Sequence, residues 1–296
     1  MKKSSKGLVY TRFGADGCVL HSGEKCKESE VMIPEKGLFE RSVIRIGDYA
    51  FVNNTRIKSV FIPEGVVSIG PNAFENCTNL ETVFLPQSLK TIGSSAFSHC
   101  EKLRNIALPS KVSFIYRETF AHCYSLESVD LRHVHSIREY AFENCVSLMD
   151  IGVNEKIRKV HATSFLRSGY CMQSIKRKDG AIYLGKWLIG YKGYPEEYVI
   201  AKDTIGIATD IFANERHIKR IKNPEYDTAE KEFWVALECP SMPLPSVPPE
   251  YFEELIPAKI RFDGTIAEWN NIIKLPGEKR IPAIITAEDA TIETLL

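Results

Sequence analysis

The chain has 296 residues, of which 44% are hydrophobic and 26% charged, a composition near the globular average that excludes a disordered or fibrous protein. Its 38 basic residues balance 38 acidic ones, so no overall basic field exists to gather nucleic acid or an anionic membrane surface. No run of 18 apolar residues is present to insert into a bilayer.

The opening "MKKSSKGLVYTRF" has a basic head but lacks the apolar run of ~7–15 residues that a secretory signal requires. As it stands, the chain reads as soluble and cytoplasmic, without an export signal. Residues 1–42 read as an N-terminal cap, in which Cys18 and Cys26 could meet across a hairpin.

A repeat then begins. Phe51, Phe74, Phe97, Phe120, Phe142 and Phe165 follow one another at steps of 23, 23, 23, 22 and 23 residues, the mark of a stacked solenoid. Other apolar residues fall into register with them. Five residues before each phenylalanine stand Ile46, Ile69, Ile92, Ile115, Ile137 and Val160; six after, Ile57, Leu80, Leu103, Leu126 and Leu148; nine after, Val60, Val83, Ile106, Val129 and Ile151; eleven after, Ile62, Leu85, Leu108, Leu131 and Val153. These rows predict the core. The stretch from six to eleven after the phenylalanine, such as "LETVFLP" at 80–86, alternates apolar with polar and is rich in β-branched residues, which predicts one short strand per unit. Pro63, Pro86 and Pro109 follow it and end the ladder, because proline donates no N–H.

Cys77, Cys100, Cys123 and Cys145 each lie three residues after a repeat phenylalanine. Equivalent positions on successive coils lie ~4.8 Å apart with parallel side chains, a poor geometry for disulfides. A reduced, buried row is expected, since free cysteine packs as a small apolar residue. Cys171 and Cys239 have no evident mate.

After residue 170 the pattern changes. "AIYLGKWLIGY" at 181–191 reads as a hairpin about Gly185-Lys186, with glycine first in a two-residue loop favouring type II′. Tyr183, Trp187 and Tyr191 belong either to the core or to a contact surface. "IGIATDIFANERHIKRI" restores the register, with Phe212 lying 47 residues beyond Phe165 and Ile207, Ile218 and Ile221 at the expected offsets. Segment 224–250, with "CPSMPLPSVPPE", reads as an extended connection. "IRFDGTIAEWNNI" predicts a strand and then a short helix, Thr265 and Glu268 having capping-box spacing. The expected division is a cap at 1–42, repeats at 43–170, a hairpin and further repeat at 171–223, and a proline-rich connection with a C-terminal cap at 224–296.

The units "IGPNAFENCTNLETVFLP" and "IGSSAFSHCEKLRNIALP" closely resemble the BspA-like leucine-rich repeat family. The resemblance is strong over 43–170 and clear over 199–221. It implies a leucine-rich repeat solenoid: α/β-type repeats of mainly short parallel strands with turns, stacked into a curved right-handed array with N- and C-terminal caps. It also implies protein binding and a bacterial cell-surface or secreted, adhesion-related setting.

Catalytic signatures are missing from the sequence: it contains no H-E-x-x-H, G-x-S-x-G, Walker loop, G-x-G-x-x-G or C-x-x-C. His99-Cys100 and His122-Cys123 on adjacent coils suggest a four-ligand zinc site, but the histidines replace Asn53, Asn76 and Asn144 of other coils and read as polar turn residues. His133 and His135 read as a solvated loop in the shortened repeat. The expected protein is a non-catalytic monomer, without cofactor or metal, that binds a protein ligand. The alternatives are a self-associating envelope component and an enzyme with its site beside segment 224–296. The candidate contact residues point outward from the strands: Ser59, Phe61, Thr82, Phe84, Asn105, Ser128, Asp130 and Asp150, interleaved with Ala107 and Gly152. Phe61 and Phe84 either anchor a partner or cover the sheet beneath the N-terminal segment.

Overall fold

A computed structural model of the chain describes residues 5–174, 180–191, 197–208, 211, 218–220, 252–255, 258–274 and 282–295. The expectations at Phe212, Ile221, Cys239 and segment 224–250 concern residues outside these. Two compact units are present: Met1–Ile157 with Arg167–Tyr170, and Arg158–Leu166 with Cys171–Leu296.

In the first unit each coil contributes two short strands rather than the one that alternation predicts. The first sheet runs in the order Glu30–Met32, Ser59–Phe61, Thr82–Phe84, Asn105–Ile106, Ser128–Asp130 and Asp150–Gly152, all parallel. The isoleucine five residues before each phenylalanine closes a second strand. Ser42–Ile46, Ser68–Ile69 and Thr91–Ile92 pair in parallel, and further along Phe114–Ile115 pairs with Ser136–Ile137. Two-residue strands carry too little alternation to be read from sequence. The N-terminal segment extends both sheets at their edges, with Glu30–Met32 on the first and the antiparallel pair Val9–Phe13 and Gly17–Ser22 on the second.

The phenylalanine turn forms the remaining side of the coil. Residues two before and two after the ring are left-handed in five successive coils: Tyr49 and Asn53, Asn72 and Asn76, Ser95 and His99, Glu118 and His122, Tyr140 and Asn144. Alternate amides thereby reach the next coil: Asn72 N donates to Ser94 O at 3.0 Å, Phe74 N to Ala96 O at 2.8 Å and Asn76 N to Ser98 O at 2.9 Å. Asparagine and histidine tolerate this conformation better than most residues. Close passage requires glycine as well. A Cβ on Gly93 would stand 2.4 Å from Pro71 N.

The phenylalanines form a buried column. Ring centroids are 5.0 Å apart for Phe51–Phe74, 5.3 Å for Phe74–Phe97, 5.7 Å for Phe97–Phe120 and 5.4 Å for Phe120–Phe142, with planes within 14°. Phe165 is equally buried, in the second unit. The cysteine row is free and buried, and each thiol has a defined partner. Cys77, Cys100, Cys123 and Cys145 donate to the carbonyls of Phe51, Phe74, Phe97 and Phe120 on the preceding coil, at 3.1–3.3 Å. Cys18 and Cys26 are likewise free and buried, not bridged.

Two rows differ from expectation. Eleven residues after the phenylalanine, Leu85, Leu108 and Val153 are only half-buried, because they sit at the corner where the strand ends. The missing core row lies further on, at Val66, Leu89, Val112, Val134 and Ile157, all essentially inaccessible. A turn delivers them inward: Leu89 N donates to Pro86 O and Val112 N to Pro109 O. In the 22-residue repeat the same turn closes from Leu131 O to Val134 N. The deletion is absorbed there and Leu131 becomes buried.

In the second unit the hairpin Ala181–Leu184 and Trp187–Tyr191 forms as expected. Gly185 has φ +59 while Lys186 does not share a positive φ, as a type II′ turn requires. Trp187–Tyr191 pairs in parallel with Gly206–Ile207, which pairs with Ile273–Lys274. Tyr198–Ile200, Ala258–Phe262 and Pro282–Thr286 form a second parallel set, closed by antiparallel Thr291–Leu295. Helix Ile266–Asn271 carries the predicted capping box between Thr265 and Glu268. Trp187 and Tyr191 are buried, so they belong to the core; half-buried Tyr183 bonds through its hydroxyl to Thr204 and Ala201 N.

Replacing Phe97 or Phe120 by alanine is expected to cost ~3–5 kcal/mol in urea denaturation, because each ring is enclosed by the column above and below. Burial makes the thiol row inert, pushing Cys77 and Cys123 up to about 12 and Cys100 and Cys145 well above the ordinary thiol value. At pH 8 a thiol reagent should leave these four unmodified in the native protein and label all of them in denaturant.

Candidate binding face

Within the strands of the first sheet that follow a phenylalanine, the residue nine after it faces the core, so residues eight and ten after it emerge on the opposite face. Strand pairing sets these in two rows. Glu30, Ser59, Thr82, Asn105, Ser128 and Asp150 form one; Met32, Phe61 and Phe84 begin the other, which Asp130 and Gly152 continue. All eight predicted contact residues therefore lie on one face. Phe84, Asn105 and Asp150 are exposed, while Ser59, Phe61, Thr82, Ser128 and Asp130 are half-buried among their neighbours.

Phe61 and Phe84 stack at 4.1 Å with planes 10° apart, and Phe84 remains 48% exposed. Among the described residues, the N-terminal segment joins the edge of this sheet. Its strand Glu30–Met32 lies in the same sheet and adds Met32 beside Phe61. The other end of the face is polar. Ser128 Oγ donates to Asn105 Oδ1 at 3.3 Å, and Arg132 engages Asp130 through Nε and Nη2, with Nη2 at 2.6 Å from Oδ2. These hydrogen bonds hold the Asp130 carboxyl down to about 2. Gly152 leaves room for this pair, since a Cβ there would come within 3.0 Å of Asp130 Oδ1.

A second aromatic group escaped sequence reasoning. Phe114 and Tyr116 are 49% and 37% exposed with centroids 6.4 Å apart. Nearby, the Arg117 guanidinium lies over the Tyr140 ring. The signal was present, because the matching positions hold Ser68 and Thr91, and Gly70 and Gly93. It was hidden because the second row of strands was not recognised.

The histidine–cysteine pairs diverge. Cys100 and Cys123 bond inward to phenylalanine carbonyls, while His99 and His122 stack on the turn surface at 4.2 Å. Among the described residues, no group of three or more His, Cys, Asp or Glu side chains is arranged to hold a metal ion. His133 and His135 are exposed on either side of buried Val134. No described helix is long and apolar enough to cross a membrane.

These features define a leucine-rich repeat β-solenoid with an open, partly aromatic sheet face. Residues 44–171 match the BspA type leucine rich repeat region in six copies, so the repeat array is of that type. The fold is similar to that of a leucine rich cell surface protein from Faecalibacterium prausnitzii A2-165, 21% identical over 71% of this chain and 73% of that one, with a TM-score of 0.54. Also similar are the T. pallidum leucine rich repeat protein (22% identical, 60% of this chain and 97% of that one, TM-score 0.47) and a leucine-rich repeat protein from Bacteroides ovatus ATCC 8483 (18%, 71% and 62%, TM-score 0.34). At 21% identity the likeness to the Faecalibacterium protein is one of fold. No curated protein matches the chain.

Asp130 is expected to titrate near pH 2 by NMR and to move up toward the ordinary ~3.9 of a free aspartate in an Arg132→Ala variant. The melting temperature at neutral pH should fall only slightly in that variant, because solvent screens an exposed pair.

Proposed function

We propose that this protein is a non-catalytic, monomeric interaction module that binds a protein ligand across the outer face of its first sheet, without a cofactor. Phe61 and Phe84, with Met32 beside them, supply the apolar anchor; Ser59, Thr82, Asn105, Ser128, Asp130 and Asp150 supply the polar surround. The observation that carries this reading is the Phe61–Phe84 stack, with Phe84 48% exposed, on a sheet whose outward positions beyond Phe84 are small or polar. Exposed aromatics gain nothing for folding comparable to the buried column, and aromatic residues are enriched among those that dominate binding energy at interfaces. A cell-surface setting, with an adhesion-related role, completes the proposal. The likeness to the Faecalibacterium leucine rich cell surface protein supports that setting, as does the BspA type of the repeats.

A pull-down with mass spectrometry compares wild type with a Phe61→Ser/Phe84→Ser variant whose fold is verified by circular dichroism. Loss of the captured protein is expected, with each substitution costing only about 1 kcal/mol of stability because the rings are incompletely buried. Equal capture by the folded variant would remove this face from consideration. Protease treatment of intact cells should degrade the protein if it sits at the surface; full protection would refute that part of the reading.

A further inference from the structure

The position two residues after the phenylalanine is left-handed in each coil of the first unit from Phe51 to Phe142, and it holds Asn53, Asn76, His99, His122 and Asn144. Where asparagines adjoin they form a ladder, with Asn76 Nδ2 donating to Asn53 Oδ1 at 3.0 Å. The two central coils replace this amide contact with stacked imidazoles, centroids 4.2 Å apart and planes 6° apart. On the far side, Asn144 Nδ2 lies 3.4 Å from His122 Nδ1. An amide NH₂ can only donate, so Nδ1 accepts and the neutral ring carries its proton on Nε2. The Tyr124 hydroxyl lies 3.3 Å from the same Nδ1, with its ring edge-on to the imidazole. A proton arriving at His122 therefore lands on the nitrogen that receives the Asn144 bond. A second proton, on His99, would set two cations face to face.

We propose that the His99–His122 stack is an acid-sensitive joint in the middle of the repeat array, holding its two coils together while the imidazoles are neutral and loosening as they protonate. The charged and titratable groups acting on His122 are His99, Glu101 and Glu118, with Tyr124 in contact. Burial first, then His99, opposes the proton; the two carboxylates favour it only in part, and the ring titrates below its ordinary value. The sign follows. The unfolded chain, with histidine near ~6.5, binds more protons than the folded one as the pH falls past that value, so stability declines there. The joint's contribution is complete above that range and is lost as the pH drops through the lower, folded-state value.

The test uses His99→Asn/His122→Asn. Asparagine already occupies this position with φ of 60, 57 and 55 at residues 53, 76 and 144, so the backbone accepts it. Five of the chain's seven histidines remain in both proteins and cancel in the comparison. Between pH 7.5 and 5.5 the wild type should lose several degrees of melting temperature that the double variant retains. NMR of the His122 Cε1–H should report a midpoint below the ordinary histidine value. In His99→Asn alone, the His122 midpoint should move up. Identical pH dependence of wild type and double variant overturns the proposal, as do two rings titrating independently at the ordinary value. Should the double variant not fold, the His122 midpoint in His99→Asn decides: an unmoved midpoint overturns the joint.

Discussion

The coils of the first unit cannot be completed alone. Each one presents alternate amides to its neighbour along two strands and a phenylalanine turn, and its ring is covered only when the next ring lies over it. Ordering a coil costs roughly 1–2 kcal/mol per residue in backbone entropy, which one unit's apolar side chains offset only when buried between neighbours. Spacing between coils is thus the quantity to which other features conform. Glycine stands where Gly93 passes Pro71, and alanine stands at Ala50, Ala73, Ala96 and Ala141. Thr119 takes the alanine position once, and its hydroxyl is accommodated by donating to Tyr116 O.

The cysteine row follows from the same constraint. The carbonyls of Phe74, Phe97 and Phe120 each accept the amide of the cysteine in their own coil and the thiol of the cysteine in the next, so Phe74 O receives Cys77 N and Cys100 Sγ. A buried acceptor is satisfied on both sides without a larger polar group. The residues that look most chemically distinctive in the sequence are therefore among the least available for chemistry. Reactivity is suppressed by burial, not by cross-linking.

Because the interior is so uniform, individuality moves to the outside. Strand positions eight and ten after the phenylalanine are free to vary without disturbing the stack, and there the chain places an aromatic end and a polar end on one continuous face. The turn position two after the phenylalanine varies within narrower limits, since it must tolerate a left-handed backbone. Asparagine and histidine both satisfy that limit, but only histidine brings a titratable group into the ladder. Steric permission at one backbone position thereby introduces a pH response into an otherwise repetitive scaffold.

Periodicity alone determined the solenoid, the strand preceding each proline, the buried phenylalanine and cysteine rows and the outward face, because each arises from a residue pattern that recurs once per coil. The Gly185 turn and the Thr265–Glu268 box were equally legible, being local chemistry with fixed spacing. Tertiary structure alone decided the rest. The two-residue strands are too short for alternation to register. Val66, Leu89, Val112, Val134 and Ile157 enter the core only because the turn that follows the strand swings them inward, while Leu85 and Leu108 are left at an open corner. Phe61 and Phe84 could have lain under the N-terminal segment. Phe84 is left 48% exposed, and the described part of that segment satisfies its own backbone by joining the sheet edge.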